Sequence, residues 1–324
     1  VLFRSAKKKL TDIEKLIKET KLPEMNYSTQ NSVSYSQYSI YRRCPHQWYL
    51  TYIKSLAPYQ ASIHTVFGTA MHETLQHYFE IMYNESGAAA DRVEIVEYFK
   101  ERFRTIYKEE FNKVKTHFSS PEEMKEFYED GVAIIDWFKK NRNKYFSVRN
   151  MRLLGIEMPL MVGLTKNIYL KGYIDLVLYD EDLDKVIIYD IKTSRSGWND
   201  KKKKDESVIS QILLYKEFFA KQYKIDVDKI DVQYFIVKRK IWENDDYAIP
   251  RIQLGAPASG KIKRKQIMSH FEEFLSEAFF EDGVYRTHEQ MKNVSKDNCT
   301  WCPFNDKPDL CDKNIPQKKF FEVA

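Results

Sequence analysis

Gly172-Tyr173-Ile174-Asp175, Tyr189-Asp190-Ile191-Lys192-Thr193 and Gln211-Ile212-Leu213-Leu214-Tyr215 follow one another within a single span of the chain. The first two sit in runs rich in β-branched and aromatic residues, Ile168 to Tyr179 and Lys185 to Thr193. Asp180 to Asp184 reads as the turn between them. Side chains alternate along a strand, so Asp190 and Lys192 share a face while Ile191 points the other way. Antiparallel pairing about a turn near Asp182 brings Asp175 level with Tyr189 or Asp190. The third stretch lies in a helix from about Asp205 to Tyr223, where four-residue spacing puts Gln211 and Tyr215 on one face.

Working outward, Leu153 to Leu164 reads as a strand carrying Glu157, and Val232 to Lys238 as another. Residues 7–21 have helical period, with Leu10, Ile13 and Ile17 on one face, and Pro23 stops the helix. Asn26 to Ser34 reads as a linker or extended arm. Ser36 to Tyr52 reads as a helix capped by Ser34 or Ser36. Gly68-Thr69 leads into a helix with His72, Leu75, Gln76 and Phe79. Asp91 to Tyr145 is helical, broken at Ser119-Ser120-Pro121, and Lys261 to Phe280 is a further helix. The expected fold is α/β, a mixed sheet with helices packed around it.

The division expected is an N-terminal helix and linker over 1–33, then one domain over 34–324. That domain holds the helical region 91–146 and a cysteine-bearing tail, 281–324. Val1-Leu2-Phe3-Arg4-Ser5 reads as translated sequencing adapter and is set aside.

Apolar residues make up 43% of the 324 and charged residues 31%, a globular rather than disordered balance. A net charge of +5 rules out a global polycation. The local runs Lys201 to Lys204, Lys261 to Lys265 and Lys139 to Arg142 read as solvated faces, or as phosphate contacts beside an acidic site. No apolar run reaches the roughly 18–20 residues that span a bilayer, and no signal segment opens the chain. The expected setting is intracellular and cytoplasmic, where four cysteines do not form a disulfide framework.

Asp175 and Asp190, flanked by Ile174, Leu176, Ile187 and Ile188, are two poorly solvated carboxylates that repel. A divalent cation resolves that conflict, and oxygen ligands suit Mg²⁺ or Mn²⁺. An isolated Asp-x-Lys is usually a surface ion pair; here it belongs to an ordered series. His72, Glu157, Gly172-x-x-Asp175, Asp190-x-Lys192 and Gln211-x-x-x-Tyr215 occur in that order. The series resembles the RecB-like branch of the PD-(D/E)XK nuclease superfamily, over roughly Ser34 to Cys311.

The resemblance implies a restriction-endonuclease-like core and metal-dependent cleavage of DNA. It implies that His72, Asp175 and Asp190 ligate metal, helped by the backbone carbonyl of Ile191, with Glu157 supporting the site. Lys192 is implied to orient the attacking water and offset charge on the phosphate. Gln211 and Tyr215 are implied to position that lysine or the nucleic-acid strand. The expected activity is a DNA exonuclease acting on single strands or ends, in recombination, repair or phage DNA metabolism. The alternatives are a CRISPR-adaptation nuclease that trims DNA ends and a catalytically inactive DNA-binding module. No Gly-x-x-x-x-Gly-Lys-Ser/Thr loop occurs in these residues, so no ATP-driven helicase is expected of them.

Cys44 precedes Pro45, while Cys299, Cys302 and Cys311 cluster near the other end. One distant and three clustered cysteines resemble the iron–sulfur staple of RecB-like nucleases, found in AddB-type helicase-nucleases and CRISPR-adaptation nucleases. The resemblance implies a [4Fe–4S] cluster closing a very long loop. Structural Zn²⁺ is the rival occupant of a four-cysteine site.

Overall fold

The computed structural model describes residues 10–242 and 249–313. The adapter-like residues 1–5, the first three residues of the N-terminal helical pattern and tail residues 314–324 lie outside those described. Helix α1 (Asp12–Glu19) opens with a capping box between Thr11 and Glu14 and presses Ile13 into the core. Strand β1 (Asn31–Val33) corrects the linker reading: this short extended stretch pairs with the sheet, and Val33 is fully buried.

The helix expected from Ser36 to Tyr52 is divided. Helix α2 (Tyr35–Arg43), capped by Ser34, stops at Cys44, whose backbone is extended because Pro45 follows. Pro45 then opens α3 (Pro45–Trp48), which runs into a π-turn over Tyr49–Ile53. Helix α4 (Ile63–Asn84) starts at its Ser62 cap, so Gly68-Thr69 lies inside the helix rather than at its start. Helices α5 (Gly87–Arg92), α6 (Ile95–Val114) and α7 (Pro121–Asn141) follow. Ser120 caps α7 and Pro121 occupies its first turn, as the expected break requires.

Strands β2 (Met151–Gly163), β3 (Ile168–Asp180) and β4 (Lys185–Ser194) match the expected spans within two residues. A short helix that sequence reading missed, α8 (Asp200–Lys204), carries the lysine run. It precedes α9 (Glu206–Tyr223), β5 (Ile230–Lys238), the missed β6 (Ile252–Gly255), and α10 (Lys261–Ala278).

Strand β3 is the centre of the six-stranded mixed sheet. Its whole length pairs antiparallel with β2 on one edge. The other edge takes β1 over residues 168–170 and β4 over residues 176–180. Residues 171–175 therefore have no strand partner on that edge among the described residues. Beyond β4 the order continues through parallel β5 to antiparallel β6.

Each face of the sheet has its own apolar core. Ile174, Val177, Ile188 and Tyr234 meet Leu213 of α9 and Phe271 of α10 on one face. Leu176, Ile191 and Phe235 meet Met71, Phe99 and Phe138 of α4, α6 and α7 on the other. Burying each such side chain contributes about 1.5–3 kcal/mol. The region 91–146 thus packs against the sheet. No helix among the described residues is long and apolar enough to cross a membrane.

Candidate active site

Strands β3 and β4 part where the acidic residues begin. Leu176 and Tyr189 form the last pair of their ladder. The next residues inward on each strand are Asp175 and Asp190, so the gap in the edge of β3 opens at this carboxylate pair. Asp175 bridges the fork: its Oδ2 accepts from the Ile191 amide at 2.6 Å. That amide has lost its ladder partner, and the side chain replaces it.

Period-two alternation holds on β4, where Asp190 and Lys192 share a face and Lys192 Nζ donates to Asp190 Oδ1 at 2.9 Å. Asp190 is 2% exposed, and its Oδ2 is buried with no hydrogen-bond partner. Burial pushes Asp190 up to about 6, with Lys192 opposing and Asp175 adding to the rise. Burial likewise pushes Asp175 up to about 6, against the pull of Lys192 and the Ile191 amide. Burial disfavours the Lys192 ammonium, yet Asp190 and Asp175 together raise its pKa. The cation and the two acids thus stabilise one another's charged forms.

His72 reaches the fork from α4, with Nδ1 3.8 Å from Asp175 Oδ2. Burial lowers its pKa, assisted by Lys192, and a backbone hydrogen bond with Ile191 works the other way. The neutral imidazole this favours is the ligating form. Tyr215 arrives from α9 on the opposite face. A β-carbon on Gly172 would lie 3.3 Å from the Tyr215 ring, so the glycine of Gly172-x-x-Asp175 admits this tyrosine to the strand. Gln211 Nε2 donates to the Tyr215 hydroxyl at 3.3 Å, joining the two residues predicted to share a face. Asp190, Lys192 and Asp175 all act on the Tyr215 hydroxyl electrostatically.

Glu157 stands directly across β2 from Asp175, between the pairs Ile156–Leu176 and Met158–Ile174. Its φ of 46° is left-handed, rare for a glutamate within a strand. Sequence reading assigned no role to the residue that holds it there. Gln76, 6% exposed, donates through Nε2 to Glu157 Oε1 at 2.6 Å and to the Asp175 carbonyl at 3.2 Å. The available signal was its position one helical turn after His72, on the same face of α4. His64, Thr69, His72, Gln76, Glu157 and Lys192 border a cleft of about 640 Å³.

All seven side chains of the predicted constellation therefore meet at the fork or next to it. Among the described residues no three His, Cys, Asp or Glu groups already converge as a closed metal cage. The donor set nevertheless fits a hard divalent cation. It offers an unsatisfied carboxylate oxygen on Asp190, a second carboxylate on Asp175 and a neutral imidazole at the rim.

The four cysteines are free and half-buried. Burial raises Cys302, and Cys44 and Cys299 raise it further. Burial also raises Cys311, with Cys44, Cys302 and Cys299 adding to the effect. Cys302 and Cys311 thus each feel Cys44 and Cys299 electrostatically, yet among the described residues the four sulfurs do not converge as a group that could hold a metal. The tail reaches them through Phe304, fully buried in the α9-side core, and through a hydrogen bond between His46 Nε2 and the Leu310 carbonyl at 2.9 Å.

A family model described as the PD-(D/E)XK nuclease superfamily matches residues 32–307. The chain belongs to that superfamily. It is accordingly a nuclease, a hydrolase of phosphodiester bonds for which membership implies DNA as substrate and, typically, Mg²⁺ or Mn²⁺ as metal. The matched span includes Cys44, Cys299 and Cys302 and ends before Cys311. No curated protein matches the chain.

Proposed function

We propose that the protein is a divalent-metal-dependent exonuclease of the RecB-like branch, acting on single DNA strands or DNA ends. The observation that carries the site assignment is the meeting of Asp175, Asp190 and Lys192 at the mouth of the β3–β4 fork, with one Asp190 oxygen buried and unsatisfied. Asp175, Asp190 and His72 would hold the metal, helped by the Ile191 carbonyl. A bound divalent cation polarises a phosphoryl oxygen and makes its water more acidic.

The chain's own groups do the rest. Lys192, anchored on Asp190, presents an ammonium where negative charge builds on the phosphate and orients the attacking water. Tyr215 and Gln211 keep that lysine from swinging away. Glu157 supports Asp175 from across the sheet. The edge-strand gap leaves the fork accessible to a strand end.

Digestion of 5′- and 3′-labelled single- and double-stranded DNA with Mn²⁺ tests this reading. Wild type is expected to release products progressively from one end, and Asp190→Ala to release none. Undiminished activity in Asp190→Ala would refute the site, and internal cuts in circular single strands would refute the exonuclease assignment.

We assign the four cysteines to a [4Fe–4S] cluster that fastens the tail to the segment around Cys44. The support is the one-distant, three-clustered cysteine pattern together with the electrostatic influence of Cys44 and Cys299 on both Cys302 and Cys311. Anaerobically purified protein is expected to be brown, with about four irons per chain by metal analysis. Colourless protein with one zinc per chain selects the structural-zinc alternative. The chain is read as one nuclease domain that takes in the N-terminal helix, strand β1 and the tail through their shared core, in a cytoplasmic protein.

A further inference from the structure

Past Lys192 the chain builds a second cavity next to the fork. It measures about 520 Å³ and is bordered by Ser196, Trp198, Asn199, Lys238, Ile252 and Gln253. Its relation to the reacting groups follows from register. Asp190 pairs with Tyr234, Lys192 with Ile236, and Ser194 with Lys238. Lys238 therefore lies on the same sheet face as Asp190 and Lys192, two residues or about 7 Å further along than Lys192. The Trp198 ring packs on Tyr234 with centroids 4.9 Å apart. One aromatic ring thus separates Trp198 from the Asp190 position.

The loop that presents Trp198 is built rather than loose. Gln253 Oε1 accepts from the Trp198 amide at 2.8 Å, and its Nε2 donates to the Trp198 carbonyl at 2.9 Å. Ser194 Oγ accepts from the Gly197 amide at 3.2 Å. Gly197 has φ +97°, and a β-carbon there would strike Gln253 Oε1 at 2.8 Å and Lys238 Cδ at 3.0 Å. Glycine is what lets the turn close over the lysine stem.

Lys238 is half-buried and has no ion pair among the described residues. Burial lowers its pKa, and the described residues place no carboxylate within ion-pair distance of it. Helix α8 adds Lys201 to Lys204 after Asp200, with Lys203 paired to Asp200 at 3.4 Å and Lys202 to Asp205 at 4.0 Å. A partly buried indole, a half-buried ammonium and a lysine-bearing rim combine the two elements that bind single strands, a stacking platform and an electrostatic track.

We propose that this cavity is the subsite for the nucleotide beside the scissile phosphate of a single DNA strand, with Trp198 stacking on its base and Lys238 contacting the adjoining phosphate. The proposal rests on the nuclease reading above and deepens it.

The test uses Asp190→Ala protein, which binds without cutting, and fluorescence anisotropy of labelled oligothymidylate over a salt series in chelator. Adding Trp198→Ala is expected to weaken binding roughly tenfold or more, and Trp198→Phe much less. Adding Lys238→Ala is expected to flatten the logarithmic salt dependence by about 0.7. Scanning a single abasic position along the oligonucleotide should find one site where the base contributes and where Trp198→Ala costs nothing extra. Should Trp198→Ala unfold, Trp198→Leu takes its place in the abasic comparison, and the Lys238→Ala slope decides the phosphate contact by itself. Unchanged affinity and slope in the variants, while wild type still degrades the same strand, would overturn the subsite alone. A wild type that cuts no DNA with Mn²⁺ would overturn the nuclease reading beneath it.

Discussion

The fork and the cysteine tail are both sites made from residues far apart in sequence, yet they are assembled by different physics. At the fork, Asp175 and Asp190 meet because an antiparallel ladder ends at Leu176–Tyr189, and one backbone-to-carboxylate bond ties the diverging strands. Position is dictated mainly by hydrogen-bond register, with the Asp175 side chain closing the fork beyond the last pair. In the tail, Cys299 ends a one-turn helix while Cys302 and Cys311 lie on irregular backbone, and Phe304, the His46–Leu310 bond and the bonds of Asn293 to Arg43 and Cys44 hold the segment down. A register-built site is rigid before any ligand arrives, whereas a loop-built site depends on a few long-range contacts.

The comparison can be broken most forcefully at the tail's anchor. Phe304→Ala is expected to destabilise the protein by about 3–5 kcal/mol, because the ring shares a core with α9. Calorimetry checks this. A main transition left in place, with only a small early transition appearing, would show that the tail is a separate unit and that the contrast is wrong.

A second measurement probes the charge stored at the fork. Asp175 and Asp190 both have folded pKa values raised to about 6. Raised carboxylates bind more protons folded than unfolded, so their contribution favours the folded state at acid pH and declines as pH climbs from about 4 to about 6. In chelator, Asp190→Asn is expected to gain stability over wild type across that window by about 2–3 kcal/mol. Urea unfolding at several pH values reads the difference. A gap that stays constant or shrinks as pH rises would sink the assignment of a desolvated acidic pair.

The smallest expected effect concerns Gln76. Gln76→Ala removes both of its hydrogen bonds and is expected to lower kcat roughly tenfold, about 1.4 kcal/mol, with the fold retained. In a Glu157→Gly background, where glycine tolerates the left-handed backbone, the same substitution should cost much less. Additive losses in that cycle would mean Gln76 acts by packing instead of by holding Glu157.

Much of the fork was legible in the residues. The β2, β3 and β4 spans, the turn near Asp182 and the shared face of Gln211 and Tyr215 all follow from short-range periodicity. The errors fall where a long-range contact overrides local pattern. Asn31 to Val33 is polar and short, and it becomes a strand only because the start of β3 offers an edge. The Ser36–Tyr52 helical pattern continues through Cys44, and the proline after it divides the helix there. Gly68 suggested a helix start but lies inside α4, since Ser62 supplies the cap.

The chain by itself determined which chemistry is present: two acids, a lysine two residues beyond one of them, and a tyrosine one helical turn after a glutamine. Those follow from residue identity and from periods of 2 and 3.6, which the backbone imposes over a few residues. Only the tertiary structure decided that Leu176–Tyr189 is the last pair, that Gln76 fastens Glu157 in a left-handed turn, and that Trp198 packs on Tyr234 beside Asp190. The first is set by where a hairpin's strands part and the other two join segments tens of residues apart, so their placement comes from strand register and core packing rather than from any local preference.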